Sequence, residues 1–578
     1  MGLNFSNINS LWAGVMVETL ARLGLKSAIA CPGSRSTPLT VALARHSQIA
    51  AIPILDERSA AFWALGLAKS SGIPTVLVCT SGTAGANFYP AVIEARQSAV
   101  PLIILTGDRP PELRQCASGQ TIDQLKLFGD FVQYFSEMAT PVASTEMLRY
   151  ARQTMVQAWR KSLFPQQGVV HLNCPFRDPL APMADSHAVE FLATELDTTT
   201  FFFSVQSSPK SRFSVATLPL AAWRNASKGI IIAGVDQPAN PEKYCQAIAK
   251  LSGYLGFPVL AEALSPVRNA GDHCPEVITT YDFILRNPQR ATDLDADIVI
   301  QMGALPTSKI LRAWLQRSPQ QTWVLSDKTE NLDPLHNSTQ QISISVEALI
   351  NLLPDSEASP SAYAKTWQDY EQQNLMAIAA KFHQTPDLIE AKIPWLLSQY
   401  LPENSAVVFA NSMTVRYAEF FWQTNQRHIQ PYFNRGANGI DGTLSTALGI
   451  AQNHSPCVLI TGDLALLHDT NGFLTLAQFQ GSLTIIVVNN DGGGIFEMLA
   501  IAAEADIFED FFATPQSIDF TQLCAVYGVS HQMIATEDQL ISACQNLPHA
   551  GVRLLEVKGD RHQDTQWLKS LFETFTKP

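Results

Sequence analysis

Cysteine is scarce and scattered in this chain: nine residues in 578, an odd number without a Cys-x-x-Cys pair. That pattern indicates neither a disulfide framework nor a zinc site. Cys31, Cys79, Cys174 and Cys457 lie in or beside apolar runs, where a buried free thiol is the ordinary outcome. The twelve histidines show no metal-ligand spacing. Charged residues are few, at 16%, and the net charge is −13, which argues against nucleic acid or an anionic membrane as a main partner. An anionic substrate would have to be met by local Arg and Lys clusters rather than by the overall field. No apolar run is long enough to span a bilayer and the N-terminus lacks a signal-peptide pattern, so a cytoplasmic protein is expected. A Gly-x-Gly-x-x-Gly turn after a first strand is missing, as is a Gly-Lys-Ser/Thr phosphate loop, and a nicotinamide dehydrogenase is disfavoured accordingly. No repeat or low-complexity tract is visible.

Hydrophobic residues make up 46% of the chain, enough for several cores. The length suggests roughly three to four domains. Short apolar runs alternate with helical patterns throughout, which predicts an α/β protein of doubly wound, mainly parallel sheets. In the first third, strands are predicted at residues 27–31, 75–80 and 102–106. Each ends in a glycine- or proline-bearing loop, and such loops at carboxyl strand ends are where ligands bind. A polar stretch at 181–214 reads as a linker. Strands at 229–233, 297–302 and 322–326 form a second sheet, and a second polar stretch, 354–374, precedes the last domain. That domain has strands at 406–410, 457–461, 483–488 and 553–557. The expected domains are therefore 1–185, 186–355 and 375–578, and the outer two could share a fold.

The last domain carries the most informative motif. Gly462-Asp463-Leu464 closes one predicted strand and Asn489-Asn490-Asp491-Gly492 closes another, with 490 − 463 = 27 residues between the two side chains of interest. A hard divalent cation takes oxygen ligands, and the Asp463 carboxylate, the Asn490 amide oxygen and a glycine-loop carbonyl at Gly492 supply three. Gly-Asp and Asn-Asn also suit ordinary strand-end turns, so the motif needs a partner. Glu57 is a candidate: it follows the short apolar run ending at Leu55 and opens a helix of small residues, a place where a plain helix-capping acid would also fit. Together, in this order and in separate domains, the two halves resemble the cofactor site of thiamine diphosphate enzymes. The resemblance implies a decarboxylase-like, three-domain architecture. It makes Glu57 the residue that hydrogen-bonds the aminopyrimidine ring, and Asp463, Asn490 and Gly492 the ligands of Mg2+ or Mn2+.

A narrower resemblance follows from further segments. These are Pro32-Gly33-Ser34-Arg35-Ser36-Thr37-Pro38, Thr80-Ser81-Gly82-Thr83, Gly107-Asp108-Arg109-Pro110-Pro111-Glu112-Leu113 and Asn173-Cys174-Pro175-Phe176. Later come Asn411-Ser412 with Arg416, Asn434-Arg435-Gly436-Ala437-Asn438-Gly439-Ile440-Asp441-Gly442, and Ile495-Phe496. In combination they resemble the 2-succinyl-5-enolpyruvyl-6-hydroxy-3-cyclohexene-1-carboxylate synthases of menaquinone and phylloquinone biosynthesis. That family joins 2-oxoglutarate to isochorismate with loss of carbon dioxide. Both substrates are dicarboxylates, which suits a site with several guanidinium forks. The resemblance implies that Ser34, Arg35, Arg109, Gln120, Lys309, Ser412, Arg416 and Arg435 bind substrate, with Ser412 also catalytic. It implies that Ser81, Gly82, Thr83, Gly462 and Leu464 line the cofactor and that Ile440 wedges it into a bent shape. Ile495 and Phe496 become an apolar wall beside cofactor and substrate.

This chain departs from some relatives after Lys309, where Ile310 stands in place of an arginine, with Arg312 two residues on. The adjacent His-His pair of several pyruvate-type decarboxylases is absent. A homodimer or homotetramer with active sites at subunit interfaces is implied. Two other readings remain: another thiamine-dependent decarboxylase or carboligase, such as an acetohydroxyacid synthase, and a non-catalytic dicarboxylate-binding relative. The first does not explain the arginine set, and the second has no use for Glu57.

Overall fold

Among the described residues, eighteen strands form three six-stranded, all-parallel sheets. The computed structural model describes residues 3, 6–184, 196–203, 205, 218–274, 276–317, 320–328 and 330–576. The first sheet contains β1 (Ser27–Ala30), β2 (Ala50–Pro53), β3 (Thr75–Cys79), β4 (Leu102–Asp108), β5 (Tyr134–Glu137) and β6 (Val169–Pro175), in the order β2-β1-β3-β4-β6-β5. The second contains β7 (Gly229–Ala233), β8 (Val259–Ala261), β9 (Val277–Ile278), β10 (Ile298–Met302), β11 (Gln321–Ser326) and β12 (Thr339–Ser343), in the order β12-β11-β10-β7-β8-β9. The third contains β13 (Ala406–Phe409), β14 (Gln430–Phe433), β15 (Cys457–Gly462), β16 (Ser482–Asn489), β17 (Ser530–Ile534) and β18 (Gly551–Lys558), ordered β14-β13-β15-β16-β18-β17. The first and third orders are identical when strands are numbered within each sheet, so the outer domains share a topology.

The interior strands are apolar on both faces because helices cover both. In the first sheet Val76, Val78, Ile103, Leu105, Val170 and Leu172 belong to one core with the helices Ile8–Leu23 and Thr145–Leu163. The helix Glu57–Ser71 packs against β1 and β3. It also crosses the helix Thr443–Asn453 at glycine: a Cβ on Gly66 would overlap the Thr446 carbonyl oxygen, and one on Gly449 the Trp63 carbonyl oxygen. Only residues without side chains allow two backbones to approach so closely.

The chain divides into two compact units. One comprises the described residues of Met1–Ser211 with Asn434–His454 and His468–Gly481; the other comprises those of Arg212–Phe433 with Ser455–Leu467 and Ser482–Pro578. The second unit is held at its centre by Arg268, which is fully buried. Its guanidinium donates to the carbonyls of Ala261, Thr279, Glu419 and Trp422 and to the Glu419 carboxylate at 3.3 Å.

Two expected linkers differ from expectation. Much of 181–214 lies outside the described residues, although Thr198–Phe201 forms a short helix. The 354–374 stretch is a linker only at its start, since the helix Ala362–His383 begins within it. Its polarity misleads because one polar residue is spent inside: Glu371 is buried and accepts from the backbone N–H and the hydroxyl of both Thr279 and Thr280, at 2.6–2.9 Å.

Asp469 is buried against the start of the helix Thr443–Asn453. Its carboxylate accepts from the Ser445 backbone N–H at 2.7 Å and from the Ser445 hydroxyl at 3.1 Å, and burial raises its carboxyl to about 6. The folded protein therefore keeps a proton that the unfolded chain releases between about 4 and 6. This group's contribution is most favourable below its unfolded value and is lost as pH rises through about 6, a change on the order of 3 kcal/mol. Urea unfolding from pH 4.5 to 6.5 should show a shallower loss of stability for Asp469→Asn than for wild type, even though the variant starts less stable.

Candidate functional site

The predicted site residues fall into two groups, one on each unit. On the first unit three loops at the carboxyl edge of the first sheet interlock. A Cβ on Gly33 would overlap the Thr80 side chain, and one on Gly107 would meet the Arg35 carbonyl carbon at 2.9 Å. The Arg35 N–H donates to Thr80 Oγ1 at 3.2 Å. Arg109 donates to Ser81 Oγ and to the Gln120 carbonyl oxygen, while Gln120 Nε2 donates to the Ser81 carbonyl oxygen at 2.9 Å. Arg35, Ser81, Gly82, Arg109 and Gln120 thus belong to one cluster, with Ser34 exposed beside Arg35.

The cluster brings two guanidinium groups together, those of Arg35 and Arg109. Arg35 is 8% exposed; Nη1 donates to the Phe176 carbonyl oxygen at 2.8 Å, and the exposed Asp178 carboxylate is 3.9 Å away. Its buried Nε has no hydrogen-bond partner among the described residues. Burial and then the Arg35 charge push the Arg109 guanidinium below its usual range. Two neighbouring guanidinium groups, one with an unspent buried N–H, suit an anion chemically.

A chain of buried polar side chains, of which Gln124 was missed at the level of sequence, holds these loops. Gln124 Oε1 accepts the Gly82 N–H at 2.9 Å, and its Nε2 donates to Asn173 Oδ1 at 2.9 Å and to the Gly107 carbonyl oxygen at 3.3 Å. Asn173 Nδ2 donates to Asp108 at 2.8 Å, and the other Asp108 oxygen accepts the Arg109 N–H at 2.7 Å. Asn173 stood in a quoted motif, but nothing local marks Gln124.

Glu57 is the first residue of its helix, yet it does not cap it. Asp56 is the cap, accepting the Ser59 N–H at 2.8 Å, which leaves the half-buried Glu57 carboxylate for another purpose. Burial chiefly, then the neighbouring Cys79, then the Glu57 charge raise the Cys31 thiol, so Glu57 stands near the carboxyl end of β1. Thr83 sits at a helix start without a side-chain cap bond. Arg435 and Ile440 lie on this unit in the loop before Thr443–Asn453, where the Ile440 carbonyl accepts the Thr443 hydroxyl at 2.8 Å.

On the second unit β15 and β16 are adjacent, paired Gly462 to Val488, so Asp463 and Asn490 emerge at one edge. Asp463 Oδ1 accepts the Leu464 N–H at 2.7 Å and Oδ2 the Gly492 N–H at 2.8 Å, leaving lone pairs on both oxygens. Burial raises the Asp463 carboxyl while those two N–H groups lower it. Gly492 has φ +132, and a Cβ there would sit 2.5 Å from the Ala513 carbonyl oxygen. Asn490 Nδ2 donates to the buried Glu390 at 3.3 Å, which turns the amide oxygen to the other side. Carboxylate, amide and carbonyl oxygens at one strand edge fit a hard divalent cation. Glu390, between Asp387 and Lys392, gave no signal in the sequence.

Ser412 follows β13 and has φ 66 and ψ −132, a backbone region nearly closed to residues with a side chain. Arg416 Nη1, one helical turn on, donates to the Ser412 carbonyl oxygen. Ile495 packs on the core of the last domain and is half-buried, and the Phe496 ring lies 5.7 Å from Phe512. Lys309 is exposed at the start of the helix Lys309–Arg317, while Ile310 packs against apolar core. Arg312 donates to the Leu305 and Pro306 carbonyls at 3.1 and 2.8 Å, so its guanidinium is engaged with its own loop.

The comparisons with known proteins define the class. Residues 12–127 match the N-terminal TPP binding domain of thiamine pyrophosphate enzymes, 196–409 their middle domain and 411–557 their C-terminal TPP binding domain. The chain is a thiamine pyrophosphate enzyme in all three parts. It is 55% identical over the full length of both chains to the 2-succinyl-5-enolpyruvyl-6-hydroxy-3-cyclohexene-1-carboxylate synthase of Gloeothece citriformis. It is 54% identical to that of Microcystis aeruginosa over 99% of this chain and all of the relative. Identity to that of Rippkaea orientalis is 52%, over 100% of this chain and 98% of the relative. The chain belongs to this synthase family.

Relieving the strained backbone at Ser412 should separate stability from activity. Ser412→Gly is expected to raise the unfolding free energy by about 1 kcal/mol or more while lowering turnover, and Ser412→Ala to lower turnover without the stability gain. Chemical unfolding and steady-state kinetics on the two variants check this.

Proposed function

We propose that the protein joins 2-oxoglutarate to isochorismate with release of carbon dioxide, using thiamine diphosphate and Mg2+ or Mn2+. The observation that carries the substrate assignment is the Arg35–Arg109 pair, with its unspent buried Nε at a carboxyl sheet edge. A pyruvate-selective site has less use for it. Full-length identity to relatives named for this synthase supports the same reading.

Bound thiamine diphosphate supplies a nucleophilic carbon and an electron sink for loss of a carboxyl group. The chain's own residues do the rest. Glu57 would hydrogen-bond the ring of the aminopyrimidine and favour its imino tautomer. Asp463, Asn490 and Gly492 would hold the cation, with Gly462 and Leu464 lining the diphosphate side. Ser81, Gly82 and Thr83 would border the cofactor, with Ile440 packed against it. Arg35, Arg109, Arg416 and Arg435 grip carboxylates, assisted by Ser34, Gln120, Lys309 and Ser412. Ile495 and Phe496 exclude water, which strengthens those ion pairs.

Residues 1–185 are assigned to the pyrimidine-binding domain, 186–355 to the central domain and 375–578 to the diphosphate-binding domain. We assign a cytoplasmic homodimer or homotetramer with active sites at subunit interfaces, acting in menaquinone or phylloquinone biosynthesis.

The test is carbon dioxide release from 2-oxoglutarate by purified protein with thiamine diphosphate and magnesium, with and without isochorismate. Release that depends on isochorismate and matches its consumption is expected. Equal release without it would indicate a plain decarboxylase, and none at all a binding protein. Glu57→Gln should lower turnover by roughly 100-fold or more and slow deuterium exchange at the thiazolium carbon in parallel. Exchange at the wild-type rate would remove Glu57 from its assigned role.

A further inference from the structure

The loop that carries Arg435 is seated on a buried carboxylate that the proposed chemistry does not use. Glu94 is 3% exposed and lies in the helix Tyr89–Gln97. Its Oε1 accepts the Gly436 N–H at 3.0 Å and the Ser98 hydroxyl at 2.6 Å, and its Oε2 accepts the Ala437 N–H at 2.7 Å. Lys69 Nζ is 3.6 Å from Oε1 and equally buried, so the charge is balanced. Two consecutive backbone N–H groups directed at the two oxygens of one carboxylate fix the backbone immediately after Arg435.

Gly436 makes the seat possible. A Cβ there would come within 2.7 Å of Ser98 Oγ, 2.8 Å of Gln97 Cβ and 2.9 Å of the Glu94 carbonyl oxygen. Any other residue would lift the loop off the helix. If Lys69 and Glu94 served only to join their two helices, the carboxylate would have no reason to spend both oxygens on N–H groups of a distant loop. We infer that Glu94 is a positioning residue: through the Gly436 and Ala437 amides it sets where the Arg435 guanidinium meets a substrate carboxylate. The inference rests on the assignment of Arg435 to substrate.

The experiment is a double-mutant cycle of Glu94→Gln and Arg435→Ala in the full-length protein. KM and kcat would be measured for both proposed substrates, alongside melting temperature and thiamine diphosphate affinity. In Glu94→Gln an amide NH2 faces one backbone N–H, and KM for one dicarboxylate should rise on the order of tenfold, with a smaller fall in kcat. Cofactor affinity should stay within about twofold of wild type, and Glu94→Gln should add less than about twofold in the Arg435→Ala background. Gly436→Ala, which displaces the loop with Glu94 intact, should reproduce the KM shift if Glu94→Gln folds poorly. Losses that multiply in the double variant, or that track cofactor affinity and melting temperature, would overturn the positioning role. Should Arg435→Ala alone leave both KM values unchanged, the assignment of Arg435 fails and the inference falls with it. A normal Glu94→Gln beside an impaired Arg435→Ala would defeat the inference alone.

Discussion

Two helices can bring carbonyl oxygen against Cα only where neither carries a side chain at the crossing, and much in the first unit depends on such a crossing. Gly66 and Gly449 each lie where a methyl group would overlap the partner helix's backbone. The helix Glu57–Ser71 begins at Glu57, and the helix Thr443–Asn453 is preceded by the loop with Arg435 and Ile440. A substitution that pushed these helices apart would therefore move Glu57 relative to the arginine loop without touching either. Asp469 at Ser445 and Glu94 at Gly436 and Ala437 secure the second helix and its loop from other directions.

The same physical device recurs at several loops of this protein: a buried carboxylate that accepts backbone N–H groups. Asp463 takes the Leu464 and Gly492 amides, Asp108 takes that of Arg109, and Glu371 takes those of Thr279 and Thr280. In a low-dielectric interior each such bond is strong, and an unmet one is costly, so these loops have one well-defined arrangement. The penalty is visible in the raised carboxyls of Asp463, Asp108 and Asp469, where burial opposes ionisation more than the hydrogen bonds favour it. Backbone N–H groups of short loops are thus tied to fixed carboxylates.

Which strands were legible follows only in part from where they lie, since the interior strands β6 and β8 were missed although both are buried throughout. The predicted strands all became interior strands, such as β3, β15 and β16, whose residues are buried on both faces and therefore continuously apolar. Every edge strand was missed: β2, β5, β9, β12, β14 and β17. An edge strand has one neighbour and partial cover, so β17, with Ser530, Gln532 and Met533 exposed, carries no continuous apolar signal, while β2 lies in the apolar run 49–55 but includes Pro53. The 22-residue helix Ala362–His383 was half hidden for a related reason: Glu371 reads as a solvent-facing acid although it is buried on Thr279 and Thr280.

From its sequence alone the chain was identifiable as three parallel α/β domains of a thiamine-dependent synthase family. Continuous apolar runs, the loops that end them and residue types such as Asp463 and Asn490 are local, and local pattern survives in a string of letters. The tertiary structure alone decided that Asp56 and not Glu57 caps its helix, that Arg312 is engaged by its own loop, and that Arg35 keeps an unspent buried N–H. It also decided that Gln124, Glu390 and Glu94 hold loops that lie 42, 100 and more than 300 residues away. Those roles depend on which polar atom meets which across such separations, and no local periodicity encodes that.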